Sequence, residues 1–395
     1  MGFPRHRFYE SEVFNLNTSS YATRSEWKAG KHNPTVAGKH IIGLDMGYSA
    51  PKGFYESGNF VFPNFCEKIN GDLFGKLPAN AMIYENAEGE RYFVGAAATR
   101  GLSEDSVVSE DALYGRNHYL HPEFRVMFET ALGMALWAVS TNGEDVFLQT
   151  GLPPAYKVKD DPYLRSVMAG THDFTLTIRG ISKHFDITLK DDQIDIMSQP
   201  MGTLNSILFN DDGSYSNIAG DIMRNNILVF DAGFRTLDTF FIQNNELKDQ
   251  TTSASLGMHR ILDETRKMIS EELGVQVSIP AMQKILTTGY VNVNDLVTLS
   301  QKSYSIEEYL NRATNIVCSE ALETLKDYIF QIRYLVMTGG TSEVLIDTFS
   351  ERLRGVSNLT ILRGRENSSL PTFYANARGY YMSRYKKMQR ENGGR

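Results

Sequence analysis

Residues 226–242 read NILVFDAGFRTLDTFFI. The run Ile227–Leu228–Val229–Phe230 is short, apolar and rich in β-branched and aromatic side chains, which reads as a buried strand. A tight turn follows, Asp231–Ala232–Gly233–Phe234–Arg235–Thr236, and then a second strand over residues 238–242. An aspartate at a strand end can hold a hydrated Mg²⁺. A glycine turn lets backbone N–H groups approach a phosphate and form an anion nest. A lone Asp-x-Gly turn is also an ordinary hairpin connection.

The pattern occurs twice. Ile41–Ile42–Gly43–Leu44 leads into Asp45–Met46–Gly47–Tyr48–Ser49. Side by side, Asp45 matches Asp231, Gly47 matches Gly233 and Tyr48 matches Phe234. The copies lie roughly one domain's length apart. Facing each other, two such hairpins would clamp a nucleotide's phosphates from both sides.

A chain of 395 residues has room for one or two domains with real cores. The net charge of −7 argues against bulk nucleic-acid binding by charge. Cys66 and Cys318 are the two cysteines, which excludes a disulfide framework and fits a pair of buried thiols in a reducing compartment. No apolar run is long enough to suggest a membrane span, and residues 131–139 read as a core helix. The start lacks an apolar leader, and His6 stands where a myristoylation signal wants Ser or Thr. The expected location is cytoplasmic.

Residues 1–38 are polar with scattered aromatics and read as an extension or arm outside the core. Beyond them, strand and helix signals alternate. Residues 121–140 carry a helical apolar stripe, 145–150 a strand, 201–209 a helix, 255–273 a helix opened by Ser255–Leu256–Gly257, and 306–332 a long helix with a break near Asn311. Tyr334–Leu335–Val336–Met337 is a strand entering Thr338–Gly339–Gly340–Thr341–Ser342, and a last helix covers about 374–387. Four turns thus sit at strand ends: after Leu44, after Gln149, after Phe230 and after Met337. In a three-layer α/β protein such ends make ligand crevices. Gly339–Gly340 opening a helix suits backbone approach to an anion.

These motifs together resemble the actin superfamily, most of all the ParM-type bacterial actins. The segment from Ile41 to Ser49, with Lys52 seven residues after Asp45, is similar to the family's first phosphate loop. Phe230–Asp231–Ala232–Gly233, with Thr236–Leu237–Asp238, resembles the second. Val336 to Ser342 resembles the adenosine motif, and Ala375–Asn376–Ala377–Arg378–Gly379 the second connecting segment. The resemblance spans roughly residues 39–384 and lies in the order and spacing of the motifs.

It implies an α/β, actin-like (ribonuclease H-like) fold of two domains around a cleft. Residues 39–228, with 371–395 returning to them, would form the first domain, and 229–370 the second. ATP or GTP with Mg²⁺ would sit between them. By the same resemblance Asp45 and Asp231 would hold the metal through waters, and Asp231 would serve catalysis. Gly47, Tyr48, Ser49, Gly233 and Phe234 would cradle the phosphates, and Lys52 would neutralise their charge. Gly339, Gly340 and Thr341 would lie against the nucleoside and α-phosphate. The ParM-type glutamate that serves hydrolysis has no counterpart at Gly151–Leu152–Pro153–Pro154, so Gln149 just before it is the expected water-orienting residue.

Three functions compete on such a clamp. The resemblance implies a polymerising NTPase whose head-to-tail contacts do not close, hence filaments. It also implies segregation of a plasmid or other DNA through a DNA-binding adaptor, without direct nucleic-acid contact and without a membrane. A small-molecule kinase would need a catalytic acid, for which Asp160, Asp161 and Asp238 are the candidates. A chaperone-like regulator would need a peptide-binding domain after residue 378.

Overall fold

A computed structural model describes residues 17–30, 32–71, 81–101, 118–244, 246–253, 256–295 and 299–393. Its first sheet has six strands in the order Glu26–Ala29, Gly58–Val61, Pro51–Tyr55, His40–Met46, Val146–Leu152 and Ile194–Ser198. The His40, Pro51 and Gly58 strands form an antiparallel meander, while the Val146 and Ile194 strands run parallel to the His40 strand. Parallel neighbours need crossovers, which the intervening helices supply.

A second five-stranded sheet repeats this plan. Its order is Glu246–Ser253, Leu237–Gln243, Ile227–Ala232, Tyr334–Thr338 and Thr360–Arg363. Again an antiparallel meander leads into two parallel strands. The matching also holds at the level of register. Asp45 faces Lys52 across the first hairpin, and Asp231 faces Asp238 across the second. A further five-stranded sheet, from Cys66–Lys68 to Ile181–Leu189, packs with helix Pro122–Ala135 on the outer face of the first.

Two helices lie between the paired sheets, Gln199–Leu208 and the C-terminal Ala375–Gly393. They cross at glycines: a Cβ on Gly379 would sit 1.6 Å from the Gly202 carbonyl oxygen. The C-terminal helix also crosses the His40–Met46 strand at Gly43, where a Cβ would lie 2.1 Å from the Ala377 carbonyl oxygen. Arg378, only 1 % exposed, ties the helices together through the Ser206 and Phe209 carbonyls and Asp211. A cation at those carbonyls complements the end of helix Gln199–Leu208. The core here takes Ile41 and Phe54 from one sheet and Val229 and Val336 from the other, so the two halves share apolar packing.

A separate core forms under helices Met258–Leu273, Ile279–Thr288 and Glu307–Glu323. The Glu307 helix is unbroken at Asn311 and ends at Glu323, short of the expected residue 332. Three elements were not read from the sequence: strand Glu246–Ser253, hairpin Tyr290–Asp295 with Ser300–Ser305, and helix Lys157–Met168 with Pro162 inside it. The first is an almost wholly exposed edge strand, so burial leaves no alternation in its sequence. The arm also departs from expectation. Residues 1–16 and Ser255 lie outside the described residues, but Tyr21 is buried and Glu26–Ala29 pairs with Gly58–Val61. Cys318 is buried and Cys66 half-buried. Burial, and then the charge of Glu123, push the Cys66 thiol up to about 12.

Candidate functional site

The two hairpin turns face a common cavity of about 370 Å³ between the paired sheets. That volume is in the range of small-molecule sites. Asp45, Gly47, Tyr48, Ser49 and Lys52 line it from the first hairpin, and Asp231, Gly233 and Phe234 from the second. Gly339, Gly340 and Thr341 line it after strand Tyr334–Thr338. The structure therefore brings every expected binding residue to one place.

The local folding explains the convergence. Thr338 pairs with Asp231 in the parallel ladder, which brings the Gly-Gly turn beside the second hairpin. Gly339 has φ +85°, and a Cβ there would lie 2.2 Å from the Ala232 carbonyl oxygen and 2.5 Å from Asp231 Oδ1. Only glycine fits this position. The Thr341 hydroxyl donates to the Gly233 carbonyl, and its N–H donates to the Ala232 carbonyl at 3.0 Å. Helix Met258–Leu273 starts against the same turn, with Met258 N–H donating to Gly233 and His259 N–H to Phe234.

The electrostatics are unequal in the two hairpins. Asp45 is 4 % exposed, and Lys52 Nζ donates to its Oδ2 at 3.0 Å. Its Oδ1 is buried without a hydrogen-bond partner among the described residues. Asp231, also 4 % exposed, accepts from Asn376 Nδ2 at 2.7 Å. Burial lifts the Asp231 carboxyl to about 6, with the Asp45 charge adding to the rise and Asn376 and Lys52 opposing it. Asp238 is buried, and Thr236 donates to its Oδ2 at 3.1 Å. Burial, and next the Asp231 charge, push Asp238 up to about 8.

Unpartnered buried carboxylate oxygens, at Asp45 Oδ1 and Asp238 Oδ1, call for a cation or a donor. Among the described residues no three His, Cys, Asp or Glu side chains converge as a metal cage. That donor set fits Mg²⁺, which keeps several waters and takes few carboxylates together with substrate phosphates. The glycine turns fit the phosphates that would complete such a shell.

Gln149 does not line the cavity. It is buried, and its Nε2 donates to the Asp195 carbonyl at 3.0 Å, tying two strands together. Gln199, first residue of helix Gln199–Leu208, does line it. Sequence reading looked for a lining amide at the end of strand Val146–Leu152 and did not consider Gln199. The signal was present in Ser198–Gln199–Pro200, where a proline marks a helix start directly after a strand. Two further lining residues were missed in this role: Asn376, named only within a connecting segment, and Asp238, weighed only as a kinase acid. Of the other kinase acids, Asp160 is buried on helix Lys157–Met168 and Asp161 pairs with Arg165 at 3.2 Å, and neither lines the cavity.

Comparison with known proteins agrees with this fold. Residues 43–202 match the family model of the N-terminal domain of actin-like proteins. Residues 229–351 match that of the C-terminal domain of archaeal MreB-like actin homologues. The chain is an actin-like protein, with the fold of the ParM-type members. Among solved structures, a 15-stranded ParM filament from Clostridium botulinum superposes with a TM-score of 0.67 at 18 % identity, covering 88 % of this chain and 99 % of that one. The non-polymerisable quadruple mutant of pCBH ParM gives 0.66 at 18 % identity, covering 89 % of this chain and 99 % of that one. An archaeal actin homologue, Ta0583, in complex with ADP gives 0.56 at 15 % identity, covering 88 % and 99 %. No curated protein matches the chain. Among the described residues no helix is long and apolar enough to cross a membrane.

Proposed function

We propose that this chain is a nucleotide-dependent, filament-forming actin-like NTPase. The observation that carries the reading is the single cavity lined by Asp45, Lys52, Asp231 and the Gly339–Thr341 turn. Lobe one is taken as residues 39–228 with 371–395, and lobe two as 229–370. Lys52 and the backbone of Gly47, Tyr48, Ser49, Gly233 and Phe234 hold the β- and γ-phosphates. Gly339, Gly340 and Thr341 hold the nucleoside side. Asp45 and Asp231 are the residues that would hold Mg²⁺. Bound there, the metal supplies charge neutralisation on the phosphates.

The protein's own contribution to hydrolysis is positioning. Gln199 is a cavity-lining amide that can orient an attacking water, the role first expected of Gln149. Asp231, held by Asn376, keeps one carboxylate at the phosphate end. Nucleotide closes the cleft by bridging the hairpins, and hydrolysis removes part of that bridge.

Assembly follows from the kinship to filament formers: a filament and a non-polymerisable mutant stand among the similar structures. The nucleotide is ATP or GTP, and the setting is cytoplasmic. The cargo reading is segregation of a plasmid or other DNA through a DNA-binding adaptor, in keeping with the net charge of −7. The kinase reading has no support in the similar structures, and Asp238 sits at the hairpin, not in an added acceptor pocket. Sedimentation and light scattering with Mg-ATP and Mg-GTP test the proposal. A pelletable polymer with one of them is expected. No polymer with either, alongside phosphorylation of a small acceptor, overturns it.

A further inference from the structure

Residues 17–24 cross from one lobe to the other. On one side the chain enters Glu26–Ala29, which is paired to the edge of the first sheet through Gly58–Val61. On the other side the short turn Thr18–Tyr21 sits on helix Ile279–Thr288 of the second lobe. The Thr18 hydroxyl donates to the Leu286 carbonyl at 2.9 Å, and the Thr23 N–H donates to Gln283 Oε1 at 2.8 Å. Tyr21 is 5 % exposed, packs into the core of the three helices, and its hydroxyl lies 3.0 Å from that of Thr314.

Between these anchors, Ser20 to Arg24 line the same cavity as the phosphate turns. The Arg24 guanidinium lies 5.3 Å from the centre of the Phe373 ring, and Phe373 lines the cavity too. A guanidinium held over an aromatic plane is oriented by the ring and keeps its N–H donors for an anion or a base edge. Arg365, another lining residue, has a buried Nε with no hydrogen-bond partner among the described residues. The wall that the arm completes therefore carries two cations facing a site built for an anionic ligand.

A segment fixed to both lobes has a mechanical consequence. Opening the cleft must stretch it or release one anchor. The hydrogen bonds on the helix side are few, but the buried tyrosine makes that anchor costly to lose. We propose that residues 17–24 are a strap across the mouth of the nucleotide cleft. Arg24, seated on Phe373, contacts the bound nucleotide, and Tyr21 is the positioning residue that holds the strap closed. The strap slows nucleotide release and couples it to separation of the lobes. This inference rests on the nucleotide reading of the cleft.

The test is release of a fluorescent methylanthraniloyl nucleotide, chased with excess unlabelled nucleotide, from the full chain and from Tyr21→Ala and Arg24→Ala. Release about tenfold faster is expected for Tyr21→Ala, with a smaller acceleration for Arg24→Ala. Hydrogen exchange of residues 17–24 in the unsubstituted chain gives a second readout that needs no variant. Nucleotide is expected to slow exchange there, which a purely structural arm would not show. Bound nucleotide with unchanged release in both folded variants overturns the strap and leaves the cleft reading intact. So does absence of nucleotide-dependent protection, which decides the matter if Tyr21→Ala does not fold. An unsubstituted chain that binds no nucleotide overturns the cleft reading, and the strap with it.

Discussion

Asp238 stands directly opposite Asp231 across the second hairpin, in the place that Lys52 takes opposite Asp45 across the first. The two hairpins share a strand–turn–strand plan and differ in charge. The first is neutral within itself. The second buries two carboxyls face to face, and both resist ionisation. The cleft thus has one wall whose carboxylate faces a lysine and one whose two carboxyls face each other.

Nucleotide binding with Mg²⁺ should therefore depend on pH. On the proposed reading Asp231 would support a metal only as a carboxylate, and its carboxyl is raised to about 6. Affinity for the Mg-nucleotide is expected to fall as pH drops through that value. Calorimetric titration across the range checks it; affinity that is flat through pH 6 would remove Asp231 from the metal's surroundings.

Asp238 makes a separate claim about stability. Its folded value of about 8 lies above the unfolded carboxyl's roughly 3.9. The folded state binds the proton more tightly, so stability is greatest at low pH within this window and declines as pH rises from about 4 to 8. Asp238→Asn should flatten that decline in the nucleotide-free protein. Thermal melts of both chains against pH give the comparison, and parallel slopes would contradict it.

The two glutamines should separate chemistry from packing. Gln199→Ala is expected to lower kcat by about 10²-fold with little change in KM. Gln149→Ala removes the donor to the Asp195 carbonyl and should cost about 1–3 kcal/mol of stability instead. Steady-state hydrolysis beside denaturant unfolding distinguishes them. The reverse pattern would restore Gln149 to the catalytic role.

Outside the cavity lining, Glu129 and His172 form a buried pair at 2.9 Å, with Tyr84 and Arg125 also bonded to the carboxylate. Burial pushes the Glu129 carboxyl up, but His172, Tyr84 and Arg125 outweigh it and hold the group below its usual value. Its contribution is present at neutral pH and is lost as pH falls through that lowered value. Glu129→Ala should destabilise by about 3–5 kcal/mol, since it leaves buried partners unmatched. Urea unfolding measures this, and a loss below 1 kcal/mol would show the pair to be as weak as an exposed one.

Much of the cleft was legible because its signals are local. Asp45 with Gly47, Asp231 with Gly233, and Gly339–Gly340 each declare a turn at a strand end through backbone needs that few residue types meet. Gln199 was not read because which connecting segment reaches the cavity depends on how many strands precede it in the sheet. The edge strand Glu246–Ser253 escaped because nothing buries one of its faces.

The sequence by itself determined two acid–glycine hairpins, the apolar strands that carry them, and hence an actin-like clamp. Those features follow from side-chain period and backbone permissiveness within a few residues. Only the tertiary structure decided that Asn376 reaches Asp231 across 145 positions and that Tyr21 and Arg24 line the same cavity as the two hairpins. Such contacts depend on strand register, on helices crossing glycine to glycine at Gly202 and Gly379, and on where a polar arm finds a buried seat. No short window of sequence encodes them, because the partners lie far apart in the chain and meet only once the elements that carry them have packed.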